Sequence, residues 1–110
     1  MNNQFKEITD RLVNMTIHFA ELQKEGKMTI ELIQEMKAFM RSHFDELNLS
    51  PLMQNLRAVG REREFNAYMA LLNKHLGMSK DLIPFELKLQ DYALADKIMS
   101  VIQNNKNKAI

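Results

Sequence analysis

The chain contains no cysteine and no tryptophan, and only three glycines and two prolines among its 110 residues. Without cysteine there is no disulfide scaffold, no thiolate zinc site and no cysteine nucleophile. The glycines, Gly26, Gly60 and Gly77, stand far apart. They provide no clustered loop in which backbone amides close on a phosphate. No G-x-S-x-G elbow occurs, and serine is confined to Ser42, Ser50, Ser79 and Ser100. No apolar run approaches the roughly 20 residues of a membrane span. The opening MNNQFKEITDRL lacks the basic and apolar segments of a secretory leader, so a cytoplasmic protein is expected.

An excess of either charge is missing too. Fifteen Lys and Arg face 14 Asp and Glu; without Lys106 and Lys108 in the polar tail, 13 face 14. That balance supplies no bulk drive toward nucleic acid or an anionic membrane. The first helix, with mixed Glu7, Asp10, Arg11, Glu21, Lys24 and Glu25, lacks the cationic face of a membrane-surface helix. Hydrophobic residues make up 45% and charged residues 26%, the composition of a folded globular domain. The asparagine- and lysine-rich usage is compatible with an AT-rich bacterial or phage genome.

What is present reads as helix. Leucine, methionine, glutamate, lysine and glutamine dominate, and no alternation of β-branched residues is sustained. Five helices are expected. The first spans Asn3 to Glu25, with Phe5, Ile8, Leu12, Met15, Phe19 and Leu22 at spacings of three and four and Gly26 closing it. Thr29 is placed as N-cap of the second, whose stripe is Ile30, Ile33, Met36, Met40, Phe44 and Leu47, flanked by Leu32 and Phe39. The short link makes these two a long antiparallel hairpin.

Ser50-Pro51 reads as N-cap and first residue of a third helix carrying Leu52, Leu56 and Val59. The stripe Phe65, Tyr68, Met69, Leu72 and Leu76 lies roughly 130° away from that one, which places a break at Gly60. The fourth helix is expected to end at Gly77, and a fifth to run from Pro84 to Asn104. The fold class is therefore all-α, a five-helix bundle-like domain over residues 1–104. A polar tail, 105–110, is expected to fray.

The fifth helix presents apolar residues on two faces: Phe85, Leu89, Tyr92, Ala95 and Met99 on one, and Leu87, Leu94, Ile98 and Val101 on the other. A helix apolar on two faces must be covered on both. Either the other helices surround it, or its second face meets another molecule. In the first helix Val13, Ile17 and Ala20 likewise lie off the main seam. The expected interface residues are Leu87, Leu94, Ile98 and Val101, with Val13 and Ile17 second, and the simplest assembly is a two-fold homodimer.

Chemistry-bearing residues are sparse. His18 with Glu21, and His43 with Glu46, form H-x-x-E pairs that share a helix face. The di-iron order is E-x-x-H, which is absent here, so a half-buried, hydrogen-bonded His43 is the expected arrangement and no metal or cofactor is expected. His75, beside the fourth stripe, is read the same way. Asp91 and Asp96 are the acids set among apolar residues, and Lys88 is placed to pair with Asp91. No catalytic group is assigned. The expected function is that of a small non-enzymatic regulator, adaptor or inhibitor binding a protein partner or itself. The alternative is a dimeric DNA-binding regulator using Arg57, Arg61, Arg63, Lys74 and Lys80. Against it, Glu62 and Glu64 alternate with the arginines and offset their field.

Overall fold

A computed structural model describes the backbone of residues 3–108 and the side chains of residues 5–105. The fold is all-α: α1 (Asn3–Lys24), α2 (Ile30–His43), α3 (Leu49–Ala58), α4 (Glu62–His75) and α5 (Leu89–Lys108), with 3-10 turns at Phe44–Glu46 and Lys80–Leu82. No strand occurs among the described residues. The body is elongated, 51 × 24 × 23 Å.

The punctuation follows the sequence at most joints. Gly26 and Gly60 hold φ of +72° and +70°, where a side chain would strain the backbone. At each, the next amide reaches back five residues, Lys27 to the Leu22 carbonyl and Arg61 to the Leu56 carbonyl, both at 2.8 Å. That bond, with a second from the glycine amide, is the Schellman closure. Thr29 caps α2 as expected, its hydroxyl accepting from the Leu32 amide at 3.2 Å. The Arg11 guanidinium lies 5.1 Å over the Phe39 ring, so the first half of α1 runs beside the second half of α2, antiparallel.

Four boundaries depart from expectation. α2 ends at His43, so Phe44 of its expected stripe lies on the 3-10 turn and Leu47 beyond it. α3 begins at Leu49 with Asn48 at its cap, so Pro51 sits inside the first turn, where its missing N–H costs nothing. α5 begins at Leu89, not Pro84; Phe85 and Leu87 precede the helix. The Phe85 ring packs 6.1 Å from that of Phe65, which draws this segment onto the core in non-helical form. The Asp91 carboxylate then accepts from the Lys88 amide at 2.9 Å, so the expected Lys88–Asp91 pairing is a backbone cap and starts the helix. At the other end α5 continues to Lys108, four residues past Asn104. No glycine or proline stops it, and Asn105 donates to the Gly26 carbonyl at 2.9 Å, tying its last turns to the α1–α2 turn. Residues 109 and 110 of the expected tail lie outside the described residues.

The helix surrounded on all sides is α4, not α5. Ala67 through Leu72, six consecutive residues, have no exposed surface. α4 packs against each of the other four helices, most extensively against α5. Its tyrosine is accommodated because the Tyr68 hydroxyl donates to the Gln23 side-chain oxygen at 2.6 Å. Burial, with Glu64 adding, pushes that phenol above the ordinary tyrosine range. The α4 C-terminus is capped from α2, where the Lys37 ammonium donates to the Leu76 carbonyl at 2.7 Å.

α1 also turns its core face away from the expected seam. Its buried residues are Ile8, Thr9, Leu12, Val13, Thr16, Phe19 and Ala20. Their mean direction is rotated roughly 60° from the Phe5–Leu22 stripe at 100° per residue. Thr16 lies near the centre of that face because its hydroxyl donates to the Leu12 carbonyl at 2.9 Å and so leaves no unpaired donor.

Candidate interaction surface

The two apolar flanks of α5 meet different neighbours. Tyr92 donates its hydroxyl to the Asn73 side-chain oxygen at 2.9 Å, and Asp96 receives both the Lys74 ammonium and the His75 ring at 2.8 Å. These contacts fix the flank of Tyr92, Ala95 and Met99 on α4. Ala70, which shares its face of α4 with Asn73 and Lys74, and Ala95 of α5 are both fully buried, and α4 and α5 form the most extensive helix pair. The buried centre of α5 is Ala95, Ile98 and Ile102, lying between the two flanks, with the cap Asp91 at its start.

The other flank, Leu94, Ile98 and Val101, faces the α1–α2 turn. Between them lies a shallow open groove of about 150 Å³ lined by Met28, Leu94, Ile98, Val101 and Ile102. A second open cavity of about 290 Å³ adjoins it across Gly26, Met28, Ile102 and Asn105 and extends over Ile30 and Glu31 of α2. Val101 is 49% exposed at its edge. The Schellman closure at Gly26 ends α1 here, and Asn105 of α5 donates to the Gly26 carbonyl at the groove's edge.

Of the six expected interface residues, this surface gathers three. Leu94, Ile98 and Val101 line the groove. Ile98 is nonetheless almost fully buried, and so is Val13, which belongs to the core. For these two the expectation of an exposed contact is corrected: the rotated faces of α1 and α5 put them inside. Ile17 and Leu87 are partly buried and pack against the core. Met28, Ile102 and Asn105 were not singled out from sequence. Ile102 was detectable, since it falls midway between the two flanks of α5, whereas Met28 and Asn105 depend on where the turn meets the helix.

The basic residues do not gather into one field. Arg57 is ion-paired with Glu62, and Arg61 with Glu64 at 3.6 Å. Lys74 is committed to Asp96. Arg63 borders a polar cavity with Glu62, Asn66 and Asp91, and Lys80 lies on the 3-10 turn beyond α4. The ion pairs oppose the positive potential that a DNA-binding face requires.

The titratable side chains hold the fold. His43, half-buried, makes a hydrogen bond to Glu46 at 2.9 Å, and its ring lies tilted 4.7 Å from that of Phe39. His18 is exposed beside Phe19. Hydrogen bonds from Lys74 and then His75 hold Asp96 below the usual carboxylate range. Among the described residues no three His, Asp or Glu side chains converge on a metal position, and no helix is long and apolar enough to cross a membrane. Comparison with protein-family models, curated proteins and solved structures finds no match.

Proposed function

We propose that this chain is a small non-enzymatic interaction protein of the cytoplasm, a regulator, adaptor or inhibitor, that docks a helical segment of a protein partner in the groove between α5 and the α1–α2 turn. The observation that supports this reading is the groove itself. Its apolar wall consists of exposed Val101 and partly buried Leu94, backed by the buried side chains of Met28, Ile98 and Ile102. A groove of this kind accepts the apolar side of an amphipathic helix. A second copy of the chain is the other occupant to be separated by experiment.

The test is site-specific photo-crosslinking in native lysate from a benzoylphenylalanine at Val101, with and without nuclease. The same group at Gln54, exposed on α3, is the control. A protein adduct formed from position 101 and absent from position 54 supports the reading, and its mass identifies the occupant. An adduct with the chain itself makes the occupant a second copy. Adducts with nucleic acid, or equal labelling from both positions, overturn it.

A further inference from the structure

Resting on the docking reading above, we infer that the segment which fills this groove is an amphipathic helix whose apolar residues are flanked by acidic ones. The polar side chains lining the groove are mostly committed. Gln23 accepts from Tyr68, Asn105 donates to the Gly26 carbonyl, and Thr29 caps α2. Three charged side chains remain. Lys27 in the turn and Lys97 on α5 are exposed and have no ion-pair or hydrogen-bond partner among the described residues. Glu31 is the single acid of the lining and stands at the α2 end of the adjoining cavity.

This arrangement makes a specific demand on an occupant. Laying an apolar helix on the floor strips water from the rims, and an ammonium that loses water without gaining a counter-charge is penalised. A partner with carboxylates beside its apolar stripe satisfies Lys27 and Lys97 as the floor closes. A partner with lysines there is repelled, so the rim selects by rejection as well as attraction. Glu31 adds direction: the acidic residues of the bound helix lie toward Lys27 and Lys97, and a basic or neutral end lies over α2.

Two synthetic amphipathic peptides test this. They share one leucine-rich apolar face and differ only in flanks of glutamate or lysine, and binding to the full chain is read by fluorescence anisotropy. The glutamate peptide is expected to bind about tenfold more tightly or better, with the advantage shrinking as ionic strength rises above about 0.1 M. Lys27→Gln with Lys97→Gln should erase the preference, and Lys27→Glu with Lys97→Glu should invert it. Both lysines are exposed, and unchanged far-ultraviolet circular dichroism verifies the fold of each variant. Equal affinity for the two peptides, lost in Val101→Asp, overturns the charge inference and leaves the docking reading standing. Failure of both peptides to bind also overturns the charge inference; the docking reading is then judged separately by the adduct from position 101.

Discussion

Leu71 separates two descriptions of α4. Measured from the stripe of Phe65, Tyr68, Met69, Leu72 and Leu76, it lies about 120° off axis at 100° per residue. On a helix covered from one side, that places it at the margin, where truncation to alanine costs about 0.5 kcal/mol or less. In the folded chain Leu71 has no exposed surface and α4 is packed from every side. Leu71→Ala removes three carbons from that environment, about 2.4 kcal/mol at ~0.8 kcal/mol per methylene-sized group. An incompletely collapsed cavity raises the loss to about 3–4 kcal/mol, within the range for buried leucines. For a chain of this size the thermal midpoint should fall by roughly 12–20 °C. Urea unfolding followed by circular dichroism, with calorimetry for the midpoint, measures both quantities. Leu89→Ala, at a position 89% exposed, is the internal control and should stay within about 0.5 kcal/mol. A loss below about 1 kcal/mol for Leu71→Ala would show that α4 has an open side, and the surrounded-helix description would be wrong.

Other changes probe the seam around α5. Ala95→Leu inserts a branched chain where α4 and α5 approach closely, and should cost about 1–3 kcal/mol in urea unfolding; a neutral or stabilising result would mean the seam holds spare volume. Asp96 is held low by Lys74 and His75, so its contribution is complete above the unfolded-chain value near 3.9 and is lost as pH falls through the lower folded value. Asp96→Asn should therefore lower the urea midpoint at neutral pH and converge with the parent chain in strong acid; a gap that persists unchanged into acid refutes this pairing as its source. Ile98→Asp should unfold the chain or nearly so, by leaving an uncompensated charge in the core, whereas Val101→Asp should keep the helical spectrum while abolishing occupancy of the groove. Similar losses of stability for the two would place Val101 in the core as well.

The elements were legible because they are punctuated locally. Gly26, Gly60 and Thr29 act through their own backbone neighbourhoods, so the helix ends and the break between α3 and α4 follow from residue type. The faces were less legible because they are set by tertiary contact. Thr9 and Thr16 read as polar, yet Thr16 satisfies its hydroxyl on its own helix and joins the core, and the buried face of α1 lies roughly 60° from the expected stripe. In α4, Ala67, Ala70 and Leu71 filled the gaps of the stripe, and the unbroken apolar run Ala67 to Leu72 was the sign that the helix is enclosed. The start of α5 moved because a carboxylate cap at Asp91 and a ring contact at Phe85 outweighed the proline signal at Pro84. Of the candidate surface, sequence contained the α5 side; the Met28 and Asn105 side exists only once the turn is folded against the helix.

The two flanks of α5 therefore change what an apolar surplus signifies. Read along the chain, a helix apolar on two sides calls either for the other helices to surround it or for a second molecule. In the folded chain the Tyr92, Ala95 and Met99 flank is consumed by α4, and Ile98 and Ile102 are consumed at the centre. What remains is narrower than a helix face: the Leu94–Val101 edge, beside the turn whose Gly26 carbonyl accepts from Asn105. The proposed occupant, a single helical segment, would draw affinity from a few apolar anchors and selectivity from Lys27 and Lys97, which have no ion-pair partner among the described residues. The photo-crosslinked species from position 101 decides between these assemblies, because a second copy and a foreign helix give adducts of different mass.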